Sequence, residues 1–230
     1  MSTFVLVHGA WHGGWCWKKV APILRRAGHD VFTPTMTGLG ERVHLRGPEV
    51  GLDTHVQDIV NVIEYEDLTD IVLVGHSYGG MVVTGVAGRA AYRIAHIVYL
   101  DAHVPANGQS VIDLLGFTRP GYETEQWVDP PGTFGVKDED DLSWVKAKMT
   151  PHPTRSMRQK VSLPTPIEDL PIQRTYVLAE LEPLGTWFAD NAAKYETDPR
   201  WHFLRMQAVH DMMVTEPEQT AAILLKATEA

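Results

Sequence analysis

The chain reads as an α/β protein: a doubly wound, mostly parallel sheet of about six strands with a small helical cap insertion. Three observations predict this. Short apolar runs alternate with amphipathic stretches along most of the 230 residues. The runs are apolar on both faces, as strands covered by helices must be. Right-handed crossovers between such strands build a parallel sheet. The alternation breaks only between about residues 113 and 171, so residues 1–112 and 172–230 form the expected core and 113–171 the cap.

The elements follow in order. Residues 4–7 predict a strand, and 15–27 a helix closed by Gly28. Residues 30–33 predict a second strand, stopped by Pro34. After a loop, Asp53 or Thr54 is placed to cap a helix with Val56, Ile59, Val60 and Ile63 on its apolar face. A strand over 70–74 feeds a turn, and Met81, Val82, Val83 and Val86 mark the helix beyond it. The next strand is 94–100. In the insertion, prolines cluster, the acidic run Asp138-Glu139-Asp140-Asp141 stands out, and only 142–149 reads as helix. The segment is too short and irregular for a core of its own. A strand over 174–179, a helix near 187–195, a strand over 201–206 and a helix over 217–228 complete the core.

Composition narrows the function. A formal net charge of −9 argues against nucleic acid or an anionic membrane as the main partner. The single cysteine, Cys16, excludes an intrachain disulfide and fits a reducing, cytoplasmic setting. The first residues lack the basic start and long apolar run of a signal peptide, and no run of 18 apolar residues suggests a membrane span. No His/Cys cluster has zinc spacing, and no glycine-rich loop precedes a Lys-Ser/Thr pair, so no metal or organic cofactor is expected. The oligomeric state, a homodimer included, is left open.

The most informative stretch is Gly75-His76-Ser77-Tyr78-Gly79, directly after Ile71-Val72-Leu73-Val74. A strand ending in Gly-x-Ser-x-Gly can turn sharply into a helix and expose the serine hydroxyl at the sheet's C-terminal edge. With 19 Gly and 6 Ser in 230 positions, about 0.04 such matches arise by chance. A serine nucleophile needs a base, an acid to orient it and donors for the oxyanion. His210 follows the last strand by a short loop and is the expected base. For the acid, Asp101 closes the strand 94–100, while Glu182 follows the penultimate strand; Asp101 is preferred because a short carboxylate at a strand end is held more firmly. The N–H of Tyr78, next after the nucleophile, and that of Ala10, freed by Gly9 to approach, are the expected oxyanion donors.

His8-Gly9-Ala10-Trp11-His12-Gly13-Gly14-Trp15 together with Gly75-His76-Ser77-Tyr78-Gly79-Gly80 resembles the α/β-hydrolase superfamily. The resemblance is strongest to the branch of plant methyl-ester esterases, hydroxynitrile lyases and bacterial pyrethroid-hydrolase-like esterases. It covers nearly the whole chain and is weakest in the insertion. It implies a serine hydrolase with a helical cap, with family roles on Ser77, His210 and the backbones of Ala10 and Tyr78. Plant members place the acid near Glu182. Bacterial relatives carry the pattern seen here as Tyr99-Leu100-Asp101-Ala102-His103-Val104-Pro105, which favours Asp101. The lyases of this branch have threonine in place of Gly9 and lysine after the histidine, where this chain has Asp211.

The expected reaction is hydrolysis of an uncharged, hydrophobic or aromatic carboxylic ester through an acyl-enzyme. The partner is then a small-molecule ester. Gly9, Trp11, Trp127 and Trp144 are candidate substrate contacts, with further insertion aromatics such as Phe117 and Phe134. The rival readings are a hydroxynitrile or other carbon–carbon lyase on the same triad, a non-catalytic ligand-binding protein of this fold, and cofactor-free oxygenase chemistry.

Overall fold

The computed structural model describes residues 1–116, 121–181 and 187–226. Strand β1 (Thr3–Val7) leads through a 3-10 turn (Gly14–Lys18) to helix α1 (Ala21–Arg26). The single helix expected over 15–27 is thus two pieces. Pro22 explains the break: it has no N–H to donate to the preceding turn, yet it fits the first turn of a new helix. Gly28 follows the cap residue Ala27 with φ 88°, which reverses the chain into β2 (Asp30–Phe32). Helix α2 (Leu52–Tyr65) has Gly51 at its N-cap, not Asp53 or Thr54; the Thr54 hydroxyl accepts from the Gly51 N–H at 3.2 Å. Strand β3 (Ile71–His76), helix α3 (Gly79–Ala90) and strand β4 (Ile94–Leu100) follow.

The stretch after β4 is more ordered than its prolines suggest. It holds α4 (Val111–Leu115), β5 (Trp127–Val128), α5 (Glu139–Lys148), β6 (His152–Pro153) and α6 (Thr154–Arg158), with β5 antiparallel to β6. The acidic run begins α5. Asp138 caps it by accepting from the N–H groups of Asp140 and Asp141, each at 3.1 Å, and the remaining acids sit in the first turn, where the helix dipole favours them. Strand β7 (Gln173–Ala179), α7 (Trp187–Thr197), β8 (His202–Met206), α8 (Met212–Thr215) and α9 (Pro217–Lys226) complete the order.

Six strands form one sheet in the order β2-β1-β3-β4-β7-β8, and every neighbouring pair is parallel. Alternate residues serve opposite faces. Phe4, Leu6, Val72, Val74, Val98 and Leu100 pack with Leu24 of α1 and Leu224 of α9. Val5, Val7, Leu73, Ile97 and Tyr99 pack with Ile59 of α2, Val83 of α3 and Ala192 of α7. Helices therefore cover both faces, as the two-sided apolar strands require. The chain runs from β1 out to β2, then returns to β3 on the other side of β1. Strand order reverses there, and in open α/β sheets such a reversal puts the ligand-binding place beyond the C-terminal ends of the two strands, here β1 and β3. Among the described residues no helix is long and apolar enough to cross a membrane.

Candidate active site

Ser77 stands just beyond the C-terminal end of β3, at that reversal. Its φ is 54°, a left-handed conformation that a side-chain-bearing residue keeps only when its surroundings hold it there. Three main-chain bonds do so: Ser77 N–H to Leu100 O at 3.2 Å, and the N–H groups of His103 and Gly80 to Ser77 O at 3.1 and 3.0 Å. The flanking glycines leave no room for side chains. A Cβ on Gly75 would lie 2.8 Å from Gly79 O, and one on Gly79 would lie 2.7 Å from Val7 O. Within residues 71–80 only Ser77 is not buried.

His210 lies in the loop between β8 and α8. Its Nδ1–H donates to Asp101 Oδ2 at 2.6 Å, and both side chains are buried. Asp101 stands at the end of β4 with φ 42°. It is pinned by its own N–H to Val177 O at 2.7 Å and by Ala179 N–H to its Oδ1 at 3.3 Å. With Nδ1 committed to the carboxylate, Nε2 is the nitrogen available to take a proton. The His210 ring centroid is 4.6 Å from that of His76, the residue before Ser77, and the His76 Nε2–H donates to His210 O at 3.0 Å. Glu182 lies outside the described residues. Its neighbour Glu180 is turned to Arg205, at 3.2 Å, and to Gln207.

The loop after β1 closes on Ser77. A Cβ on Gly9 would lie 3.0 Å from Ser77 Cβ and 2.9 Å from His76 Nδ1, so only glycine lets the chain pass so near. Among the described residues, the N–H groups of Ala10 and Tyr78 donate to no protein acceptor. His8 supports this loop from behind. Its Nδ1–H donates to Gly9 O at 2.8 Å and its Nε2 accepts from Met36 N–H at 3.1 Å. Burial drives its pKa down to about 3, so the ring is neutral, as that donor–acceptor pattern requires. Gly9 C=O and Ala10 N–H belong to one peptide unit, so the bond from His8 polarises the donor.

The tryptophans divide. Trp11, with φ 65°, ties the loop to the insertion: its N–H reaches His152 Nδ1 at 3.3 Å, its Nε1–H donates to Val128 O at 3.0 Å, and its carbonyl accepts from Thr150 N–H at 2.9 Å. Trp127 lies under the Arg46 guanidinium, 5.0 Å from its ring centre, against Gly38. Trp144 packs edge-on to Trp15 at 5.2 Å. No described contact of Trp127 or Trp144 is with Ser77 or His210; their large apolar faces fasten the insertion to the core. The rings around His210 are instead Phe134 at 5.7 Å and Phe188 at 5.2 Å, with Phe134 stacked on Trp11 at 5.6 Å. Phe117 lies outside the described residues.

One buried pair escaped the sequence reading. His12 Nε2 meets Asp211 Oδ2 at 3.1 Å, and His12 Nδ1 meets Ala10 O at 2.7 Å. The signals were present in His12, inside the glycine-rich loop after β1, and in an acid directly after His210. Nothing in the spacing joins positions 199 residues apart.

With this geometry in place, the comparisons are consistent. The profile of the Alpha/beta hydrolase family matches residues 4–223. A carbendazim hydrolyzing esterase of Nocardioides sp. (strain SG-4G) is 40% identical, over 96% of this chain and 97% of that protein. Methylesterase 1 of Arabidopsis thaliana is 32% identical over 54% of this chain and 48% of its own length. Among solved structures, an extracellular alpha/beta-hydrolase from a Paenibacillus species, described as sharing structural and functional homology with tobacco salicylic acid binding protein 2, superposes with a TM-score of 0.85. It is 26% identical, and 99% of each chain is covered. The resemblance read from the two glycine-rich motifs holds over the whole length: the chain belongs to the alpha/beta hydrolase family, among its ester-hydrolysing members.

Proposed function

We propose that the protein is a serine carboxylesterase that hydrolyses uncharged, hydrophobic or aromatic carboxylic esters through an acyl-enzyme on Ser77. The observation that carries this reading is the 2.6 Å bond from His210 Nδ1–H to Asp101, which leaves Nε2 as a base on a ring tilted against His76, the residue before Ser77. His210 takes the Ser77 proton as the oxygen attacks the ester carbonyl. The N–H groups of Ala10 and Tyr78 hold the oxyanion. His210, now protonated and steadied by Asp101, returns the proton to the leaving alcohol, and water repeats the sequence on the acyl-enzyme.

Phe134, Phe188 and Trp11 give the surroundings of His210 an apolar, aromatic character, which suits uncharged acyl or alcohol groups. The lyase alternative finds no support at position 9, where the space a threonine side chain needs is already taken by His76 and Ser77. The test is a panel of p-nitrophenyl esters of increasing chain length, run on the wild type and on Ser77→Ala. Carbendazim belongs in the same panel, because the 40% identical relative is a carbendazim hydrolyzing esterase. Turnover by the wild type that disappears in a folded Ser77→Ala protein supports the reading. Turnover that survives the substitution overturns it.

A further inference from the structure

The catalytic groups come from distant parts of the chain, and a second buried pair joins two of those parts. His12 belongs to the loop that presents the Ala10 N–H. Asp211 directly follows His210. Both side chains are almost wholly inaccessible, at 2% and 0% exposure. Ala10 O can only accept, so His12 Nδ1, 2.7 Å away, carries a proton. With a carboxylate 3.1 Å from Nε2, a proton on that nitrogen too makes His12 an imidazolium and Asp211 its counter-ion, the charge state taken here.

We propose that His12 and Asp211 are positioning residues, a buried ion pair that locks the oxyanion loop to the loop carrying the base. The proposal rests on the reading of Ser77, His210 and Ala10 as hydrolytic machinery. Neither residue touches the reacting atoms. His12 instead grips the carbonyl of the donor residue, and Asp211 carries that grip to the neighbour of the base. The same joint is braced by the His76 Nε2–H bond to His210 O at 3.0 Å and by the Asp211 N–H bond to Phe134 O at 3.4 Å.

The groups facing the pair agree with this charge state. Burial pushes the His12 ring toward neutrality, but the charge and hydrogen bond of Asp211 more than reverse it, so His12 holds its proton above the ordinary histidine range. His8, His76 and His152, the other histidines that feel its charge, are all driven down, first by burial and then by neighbouring rings including His12. Cys16, also near Asp211, is pushed up by burial and by that carboxylate, and remains a neutral thiol. One cation and one anion thus stand among neutral groups. A lone charge in such a place is strongly unfavourable, and a pair is tolerated only in good geometry.

The experiment uses Asp211→Asn, His12→Gln and the double variant, assayed with p-nitrophenyl acetate. A donor displaced by about an ångström loses on the order of 100-fold in rate. Each single variant is therefore expected to lower kcat by roughly 10- to 100-fold with KM within about threefold, and the double variant to be no worse than the poorer single one. A structural role alone would lower the melting temperature and leave kcat unchanged. Histidine-¹⁵N NMR of the wild type supplies a readout that needs neither turnover nor a folded variant: both His12 ring nitrogens should be protonated at pH 7. Wild-type kcat in either single variant, losses that multiply in the double, or a neutral His12 ring would each overturn the proposal. Absence of any esterase activity in the wild type, with an imidazolium still seen at His12, would instead count against the hydrolytic reading and leave the ion pair standing.

Discussion

At Gly9 the main chain passes so close to Ser77 that one added carbon would sit 3.0 Å from the serine Cβ. Gly9→Ala should therefore push the Ala10 donor away from the oxyanion position. Loss of one such donor lowers kcat by about 10²- to 10³-fold, and a displaced donor should fall on the order of tenfold to 100-fold, read as kcat on p-nitrophenyl acetate with the fold checked by circular dichroism. Asp101→Asn removes the carboxylate that holds the His210 tautomer and should lower kcat by about 10⁴-fold with little change in KM. At this scale the sequence was most legible at strand ends: Ser77, Asp101 and His210 each directly follow or closely trail an apolar run, and the fold brings His210 to Asp101. Contacts made by side chains across the fold were not. His12 and Asp211, or His8 and Met36, meet only because the sheet brings their loops together.

Elements were readable when one face or one terminus dominated. The apolar strands and α2 declared themselves by periodicity. The turn before α1 did not, because Trp15, Trp17, Ala21 and Leu24 keep a helix-like spacing straight through the place where Pro22 forbids a continuous helix. The two-residue strands β5 and β6 are too short to show any period. The acidic run was visible, but its role as the cap and first turn of α5 was not. That role predicts a measurable effect. Asp138→Ala should destabilise by about 1 kcal/mol, lowering the melting temperature by about 2–4 °C, while kcat on p-nitrophenyl acetate stays within twofold or so of the wild type. Lys19, whose Nζ is 2.6 Å from Asp141 and 3.1 Å from Val214 O, anchors the same turn of α5 to the core.

Over the whole molecule, the interior holds several neutral histidines, and this sets its response to acid. Burial lowers His8 to about 3 and His55 to about 4, and drives His76 and His152 well below 6.5. In the unfolded chain these rings protonate as pH falls through 6.5, whereas the folded chain resists until far lower pH. The unfolded state then binds more protons, so stability present above pH 6.5 is lost progressively toward pH 4. Each ring that the fold keeps neutral at pH 5 weakens the folded state on acidification, so the melting temperature should fall clearly between pH 7 and pH 5 in a calorimetric series. A flat profile over that range would show that these rings are not kept neutral by the fold. The parallel sheet itself was legible from alternation alone. Its strand order was not, because which strands lie side by side depends on crossovers that leave no local mark.

Trp11 adds a constraint on how a molecule gets in. Its three bonds rivet the oxyanion loop to the segment that carries β5 and β6. Peeling that segment back at this seam would pull the Ala10 donor out of place with it. Substrate and product traffic therefore has to use a route that leaves the seam shut.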